Sequence, residues 1–122
     1  MALKFYKCEK CGTVVVRPFD CCGEESKMVE LVANTEEAAF EKHIPAVTVN
    51  GSAVEVAVGS VEHPMLDKHY IEWIILETNQ GFQKKDLKPG DKPAAKFALA
   101  EGETAVAAYE SCNLHGIWKA EI

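Results

Sequence analysis

Seven short candidate strands, separated by turn residues, are the feature that most constrains the fold of this chain. Asn50-Gly51 between the first two is the strongest short-range hairpin signal, and Gly90 and Gly102 lie in later turns. The candidates are residues 46–49, 53–58, 70–77, 81–87, 94–99, 104–109 and 116–121. The alanine-rich candidates are too short between turns to stand as helices. Seven strands with regular turns predict an all-β fold, a β-sandwich.

The residues that can bind metal fall into two separate parts of the chain. Four cysteines lie in the first 22 residues, whereas Cys112 and all four histidines lie in the remainder. Between the two parts, Asn34 is placed to cap a short helical turn with Glu37 at the capping-box spacing, and Pro45 stops its continuation. We therefore expect a small N-terminal module over residues 1–35 and the β-sandwich over residues 36–122.

Composition narrows the class of protein and its partners. The chain has 122 residues, 48% hydrophobic and 26% charged, which suits one compact domain with at most one small module beside it. Nineteen Asp and Glu against thirteen Lys and Arg give a net charge of −6, which disfavours a nucleic acid or an anionic membrane as the main partner. The first residues lack the apolar stretch of a secretory signal, so we expect a cytoplasmic protein. Five cysteines, an odd number, are then expected to bind metal as thiolates.

The N-terminal cysteines form two pairs. Cys8 and Cys11 have the spacing of a knuckle in which two thiolates converge on one ion. Cys21 and Cys22 are adjacent, which is less common because neighbouring side chains on an extended backbone point apart. Together the four thiolates predict a tetrahedral centre for iron or zinc, and a structural staple and an electron-transfer centre are equally compatible with it.

Four histidines and one cysteine make up a second group of candidate ligands. They are His43, His63, His69, Cys112 and His115. Every histidine lies near a turn, and Cys112 and His115 have a compact metal-knuckle spacing. Pro45 and Pro64 hold rigid backbone beside two of the imidazoles. The donor set accepts zinc, copper or iron, but five ligands exceed the four of a closed structural zinc site and favour a redox metal.

The sequence around these ligands resembles the desulfoferrodoxin family, the two-centre form of superoxide reductase. The similarity runs from Tyr6 to Glu121. Its most specific segments are residues 41–45, 59–65, 68–73, 87–90 and 109–119, which read EKHIP, GSVEHPM, KHYIEW, LKPG and YESCNLHGIWK. One departure is the loop between Cys11 and Cys21, which has nine residues and is shorter than the family's usual loop.

The resemblance implies an immunoglobulin-like β-sandwich with iron at one end, preceded by a desulforedoxin-like module whose thiolates hold a second iron, or zinc. His43, His63 and His69 would bind the catalytic iron through Nε2 and His115 through Nδ1, all in an equatorial plane, with Cys112 axial. The sixth position is left for superoxide. Glu41 would occupy that position in the ferric form, and Lys42, together with Lys68, would attract the anion.

The implied activity is the one-electron reduction of superoxide to hydrogen peroxide without release of dioxygen. A rubredoxin-like protein is the implied electron donor, and we expect a homo-oligomer, in the form of a dimer. The alternative is a non-enzymatic, rubredoxin-like electron carrier whose second metal is structural. Zinc in both sites would instead favour an interaction module, because zinc is redox-silent.

Overall fold

The computed structural model describes residues 3–16, 28–35 and 40–122, without the side chains of Phe40 and Glu41. The chain divides into two compact units, Met1–Val32 and Ala33–Ile122. Cys21, Cys22 and Glu37 lie outside the described residues. Within the part of the chain that is described, no helix has the length and apolar character needed to span a lipid bilayer.

The first unit contains a small antiparallel sheet. Its strands are β1 (Phe5–Cys8), β2 (Val14–Val15) and β3 (Met28–Leu31), in the order β2-β1-β3. The turn after β1 is closed by two backbone hydrogen bonds, from Gly12 N–H to the Cys8 carbonyl (2.8 Å) and from Cys8 N–H to the Thr13 carbonyl (2.9 Å). Gly12 has a φ of 79°, which a residue with a Cβ adopts only with strain.

The second unit is a two-sheet sandwich preceded by one short helix. The helix α1 spans Phe40–His43, and seven strands follow it: β4 (Pro45–Asn50), β5 (Ala53–Val58), β6 (Ile71–Thr78), β7 (Gly81–Asp86), β8 (Ala94–Ala98), β9 (Ala105–Cys112) and β10 (Gly116–Glu121). One antiparallel sheet has the order β4-β5-β8 and the other β10-β9-β6-β7. This three-plus-four arrangement is an immunoglobulin-like sandwich, so the predicted all-β fold is confirmed.

The core lies between the two sheets because their strands alternate buried and exposed side chains. In β5, Val54, Val56 and Val58 are buried, while the alternate residues Ala53 and Glu55 are exposed. These valines pack with residues of β6, β8 and β9, namely Ile71, Ile74, Leu76, Ala95, Phe97, Ala108 and Cys112. Each large apolar side chain buried in this way stabilises the fold by roughly 1.5–3 kcal/mol. A candidate metal ligand, Cys112, is thus part of the core.

The strand β6 contains a register shift at its start. Ile71 pairs with Cys112 and Trp73 with Ser111, so that two steps along β6 match one step along β9. Glu72 is the extra residue, and its carboxylate Oε1 accepts a hydrogen bond from Ser111 Oγ (3.0 Å). The shift therefore lies directly beside Cys112.

The link before α1 differs from the prediction of a capped helical turn at Asn34. Asn34 has a φ of 63°, and its side chain binds the backbone of Lys119 in β10. Its Oδ1 accepts from Lys119 N–H (2.8 Å), and its Nδ2 donates to the Lys119 carbonyl (3.1 Å). The prediction for Asn34 was wrong because this residue uses its side chain to hold the connecting segment against a distant strand.

Candidate metal centre

Antiparallel pairing gathers the candidate ligands at one end of the sandwich. The start of β4 pairs with the end of β5, through Pro45 and Val58, and the start of β6 pairs with the end of β9, through Ile71 and Cys112. His43 precedes β4, His63 and His69 lie between β5 and β6, and His115 lies in the turn between β9 and β10. The five residues, far apart in sequence, therefore meet because of the strand order.

The four imidazoles form a nearly square ring. Neighbouring ring centroids lie 4.7 Å apart for His43 and His63, 4.6 Å for His63 and His69, 5.1 Å for His69 and His115, and 5.0 Å for His115 and His43. Neighbouring rings meet edge to face at 76–89°. The diagonal from His43 to His69 is 6.5 Å, with the rings tilted by only 30°. Such a square has its donor atoms directed at a common centre.

The atoms at the centre of the ring are nitrogens and one sulfur. His43 Nε2 lies 3.2 Å from both His63 Nε2 and His115 Nδ1. Cys112 Sγ lies 3.5 Å from His63 Nε2 and 3.7 Å from His115 Nδ1. One potential ligand atom from each of His43, His69, Cys112 and His115 falls within 4.8 Å of the others. All five candidate ligands thus come together.

Outer contacts orient two of the rings. His63 Nδ1 lies 2.7 Å from the Pro64 carbonyl, to which only a protonated nitrogen can donate, so Nε2 keeps its lone pair toward the centre. Trp118 stacks on His43, with centroids 4.8 Å apart, and its Nε1 donates to the His115 carbonyl (3.0 Å). A buried tryptophan therefore supports two neighbouring members of the ring.

Electrostatics keep two of the imidazoles, His63 and His69, in the form that binds cations. The pKa of His63 is lowered to about 4, chiefly by burial and also by the charges of the neighbouring imidazoles, while the hydrogen bond to the Pro64 carbonyl opposes this shift. Burial also lowers the pKa of His69, as do the charges of His115 and Lys42. These two rings are therefore neutral at physiological pH, which is the form that ligates metal.

The pKa of the Cys112 thiol is shifted in the direction that disfavours the metal-binding form, the thiolate. Burial raises its pKa, as do the nearby Glu110 and Glu72, although hydrogen bonds from the backbone amides of Leu114 and His115 favour the thiolate. A metal at this site would have to displace the thiol proton, and those two amides are already placed to stabilise the resulting sulfur charge.

The donor set fits a transition metal such as iron. Among the described residues, His69 Nε2 is buried without a hydrogen-bond partner, an arrangement that is costly unless a cation or a water satisfies it. Three to four imidazole nitrogens and a soft thiolate suit iron, copper or zinc, and the number of donors exceeds a closed zinc site. The residues present are therefore suited to hold the iron implied by the resemblance.

Charged residues directly precede two members of the ring, His43 and His69. Lys42 is exposed and, with His63, lines an open groove of about 610 Å³ that continues along Asp91 and Lys92. Lys68 is exposed in the turn before His69. The side chain of Glu41 lies outside what the structure describes, so its role at the centre stays a prediction.

The predicted tetrathiolate site is described only in part. Cys8 is buried at the end of β1, and Cys11 is exposed, with its Sγ 3.0 Å from Thr13 Oγ1. Because Cys21 and Cys22 lie outside the described residues, convergence of the four thiols stays a prediction.

The sequence reasoning missed two residues, Trp118, which contacts the ring, and Asn113, whose side chain makes hydrogen bonds to the residues on either side of His69. Trp118 lies in a segment of the family resemblance, but nothing in the sequence indicates that it stacks on His43. Asn113 lies between Cys112 and His115, and this position was the available signal. The Pro64 carbonyl carries no sequence signal, because any residue offers a carbonyl.

The fold and the ring define a class: β-sandwich proteins with a mixed imidazole and thiolate metal site at one end. The profile of the Desulfoferrodoxin family matches residues 35–121. A desulfoferrodoxin of Nitratidesulfovibrio vulgaris is 44% identical over 97% of this chain and 95% of that protein. The chain belongs to the desulfoferrodoxin family.

Solved structures agree with this assignment. A superoxide reductase from Treponema pallidum has a TM-score of 0.81 and 38% identity, over 96% of this chain and 98% of that one. A one-iron superoxide reductase from Giardia intestinalis has a TM-score of 0.59 and 33% identity, over 67% of this chain and 97% of that one.

Proposed function

We propose that this protein is a superoxide reductase, an oxidoreductase that reduces superoxide to hydrogen peroxide: O2•− + e− + 2H+ → H2O2. The observation that carries the proposal is the square of four imidazoles around a buried thiol, in a chain of the desulfoferrodoxin family. Because superoxide only gains an electron, the reaction releases no dioxygen.

We propose His43, His63, His69 and His115 as the equatorial ligands of the catalytic iron and Cys112 as the axial ligand. The near-square centroid distances and the closeness of Cys112 Sγ to two ring nitrogens support this assignment. Iron held there would supply the electron, and the thiolate of Cys112 would raise the electron density on the metal. The amides of Leu114 and His115 would moderate that effect by hydrogen bonding to sulfur.

The charged residues beside the ring, Lys42, Lys68 and Glu41, have separate proposed roles. Lys42 attracts superoxide to a protein with a net charge of −6, and the electrostatic influence of Lys42 on His69 supports its closeness to the ring. Lys68 contributes to the same local field. Glu41 would act at the same centre when the iron is ferric, a role that rests on the family motif. Two protons reach the reduced substrate from solvent near Lys42.

For the rest of the molecule, we propose that residues 1–35 bind iron, or zinc, at Cys8, Cys11, Cys21 and Cys22. The turn between Cys8 and Cys11, held by the Cys8–Thr13 and Gly12–Cys8 backbone hydrogen bonds, supports a preformed first half of such a site. We also propose that the protein receives electrons from a rubredoxin-like donor, forms a dimer and is located in the cytoplasm.

The test is to mix the iron-loaded, pre-reduced protein rapidly with superoxide and to measure hydrogen peroxide and dioxygen. We expect one hydrogen peroxide per superoxide consumed and no dioxygen. Cys112→Ser should lose the thiolate-to-iron absorption and most of the rate, because an alcohol is a poor soft ligand. Evolution of dioxygen would contradict the reductase assignment, and an unchanged rate and colour in Cys112→Ser would contradict the axial ligand.

A further inference from the structure

Asn113 joins the two loops that carry three of the proposed ligands. Its Oδ1 accepts a hydrogen bond from Tyr70 N–H (2.9 Å), and its Nδ2 donates to the Lys68 carbonyl (3.1 Å). Its own backbone N–H donates to the Tyr70 carbonyl (3.2 Å). The two side-chain bonds therefore grip the residues on either side of His69, from a position between Cys112 and His115.

The His69 loop also has restraints of its own, among them a hydrogen bond from Ile71 N–H to Met65 Sδ (3.3 Å). Leu66 and His69 exchange two backbone hydrogen bonds, 2.9 Å and 3.0 Å long, across a two-residue turn. This pair shapes the turn but does not connect it to Cys112. Among the residues that the structure describes, the side-chain hydrogen bonds from the Cys112 loop to this turn come from Asn113 alone.

We propose that Asn113 is a positioning residue of the metal centre, which sets His69 at the correct distance from Cys112 and His115. The inference rests on the proposed ligand set and adds to it a residue that touches no metal. The carboxamide is needed because it offers a donor and an acceptor on one rigid group: aspartate lacks the donor toward Lys68, and alanine lacks both. Outer partners of metal ligands typically contribute about 10- to 100-fold to metal affinity.

The chain contains a matched control for the structural part of this effect. Asn79 makes the same pair of bonds at a turn remote from the ligand loops: Nδ2 donates to the Gly102 carbonyl (3.1 Å), and Oδ1 accepts from Thr104 N–H (2.8 Å). Both asparagines bridge two loops through a carbonyl and the amide two residues later. Loss of stability alone should therefore be similar in Asn113→Ala and Asn79→Ala.

The experiment compares Asn113→Ala, Asn113→Asp and Asn79→Ala in the full-length chain carrying Cys21→Ser, so that absorption by thiolate and iron reports on Cys112. The Fe2+ affinity is measured by competition with a chelator, the ferric spectrum by absorption, and stability by thermal unfolding of the metal-free chain. We expect both Asn113 variants to weaken Fe2+ binding about 10- to 100-fold and to shift the thiolate band. Asn79→Ala should lower the unfolding temperature comparably and change neither property.

Two results would overturn the inference: Fe2+ affinity and spectrum within twofold of the parent in both Asn113 variants, or equal weakening by Asn79→Ala. If Asn113→Ala does not fold, Asn113→Asp decides alone, because it keeps the bond to Tyr70. Failure of the proposed function has a different signature, since the parent protein itself would then not hold iron at the ring or would not reduce superoxide.

Discussion

At the residue scale, the protonation state of each ligand atom depends on the contacts that its side chain makes with the surrounding protein. His63 donates Nδ1–H to the Pro64 carbonyl and is left with one free lone pair at the centre. For Cys112, burial favours the neutral thiol, whereas hydrogen bonds from two backbone amides favour the thiolate. Burial thus favours the neutral forms of His63, His69 and Cys112 before a cation arrives.

Removal of Lys42 should slow the capture of superoxide without changing the metal site. Lys42→Ala is expected to reduce the second-order rate by about 3- to 10-fold and to flatten its dependence on ionic strength, because the attracting charge is lost. Rapid mixing with superoxide at several salt concentrations measures both effects. Lys96→Ala, on the exposed face of β8, is the control of equal charge.

Glu41→Ala should leave capture nearly intact and alter the ferric spectrum, and equal slowing by Lys42→Ala and Glu41→Ala would show that the assigned roles are wrong.

The buried Tyr109 of β9 makes a contribution to the stability of the fold that depends on pH. Its hydroxyl donates to Glu77 Oε1 (2.9 Å), and burial, with that carboxylate, raises its pKa to about 12. The folded protein therefore keeps a proton that the unfolded chain loses near pH 10, and the contribution falls as the pH rises from 10 through about 12.

The variant Tyr109→Phe should remove this dependence and leave the buried Glu77 without its donor. We expect a loss of about 1–3 kcal/mol in the free energy of unfolding at neutral pH. Denaturant titrations at pH 8 to 11 check the prediction, and parallel loss of stability with pH in Tyr109→Phe and the parent would contradict it.

At the scale of elements, the β4–β5 hairpin shows how local chemistry fixes a turn far from the ring. Asn50 pairs with Ala53, so the loop consists of Gly51 and Ser52, and positive φ is confined to Gly51 at 63°. This is the requirement of a type II′ turn, with glycine at its first central position. His43 precedes the other end of β4, so changes at this turn should affect stability and spare the metal.

Gly51→Ala tests that separation. An added Cβ meets no atom within 4 Å, so the cost comes from the backbone conformation alone, about 1 kcal/mol. Ser52→Ala, the adjacent loop position, should stay within about 0.5 kcal/mol of the parent. Thermal unfolding measures both variants, and an altered ferric spectrum in Gly51→Ala would show that the turn and the ring are coupled.

The sequence predicted the elements well and their long-range bonds poorly. The seven strands were visible because β-branched runs and turn residues act locally, and the same locality placed each histidine near a turn. The Asn34 side chain was misjudged, since its partner Lys119 lies 85 residues away. The stacking of Trp118 on His43 and the hydrogen bonding of Asn113 to the His69 loop also depend on tertiary structure.

At the scale of the whole molecule, the two units have different ligands and different amounts of core. The second unit buries a continuous apolar cluster between its sheets. The described residues of the first unit form a three-stranded sheet, and a segment of about thirty residues has too little core to fold without help. The ligands of the proposed catalytic iron all come from the second unit.

Cys21→Ser should therefore perturb only the N-terminal centre. We expect superoxide reduction by the pre-reduced variant to survive, with some loss of thermal stability. Rapid mixing of pre-reduced protein makes the rate independent of electron delivery from a partner. Disappearance of the fast reaction while iron remains at the ring would show that the two centres are catalytically coupled.

The register shift at the start of β6 has a consequence for how the length of this chain can vary. Ile71 and Trp73 already pair with consecutive residues of β9, so loss of Glu72 would leave an unbroken ladder with every other side chain on its own face. Because Ile71 would keep its pairing with Cys112, the same deletion would leave the spacing between His69 and Cys112 unchanged and would remove the carboxylate that accepts from Ser111. Glu72 thus marks a point where the chain can shorten by one residue without moving the ring.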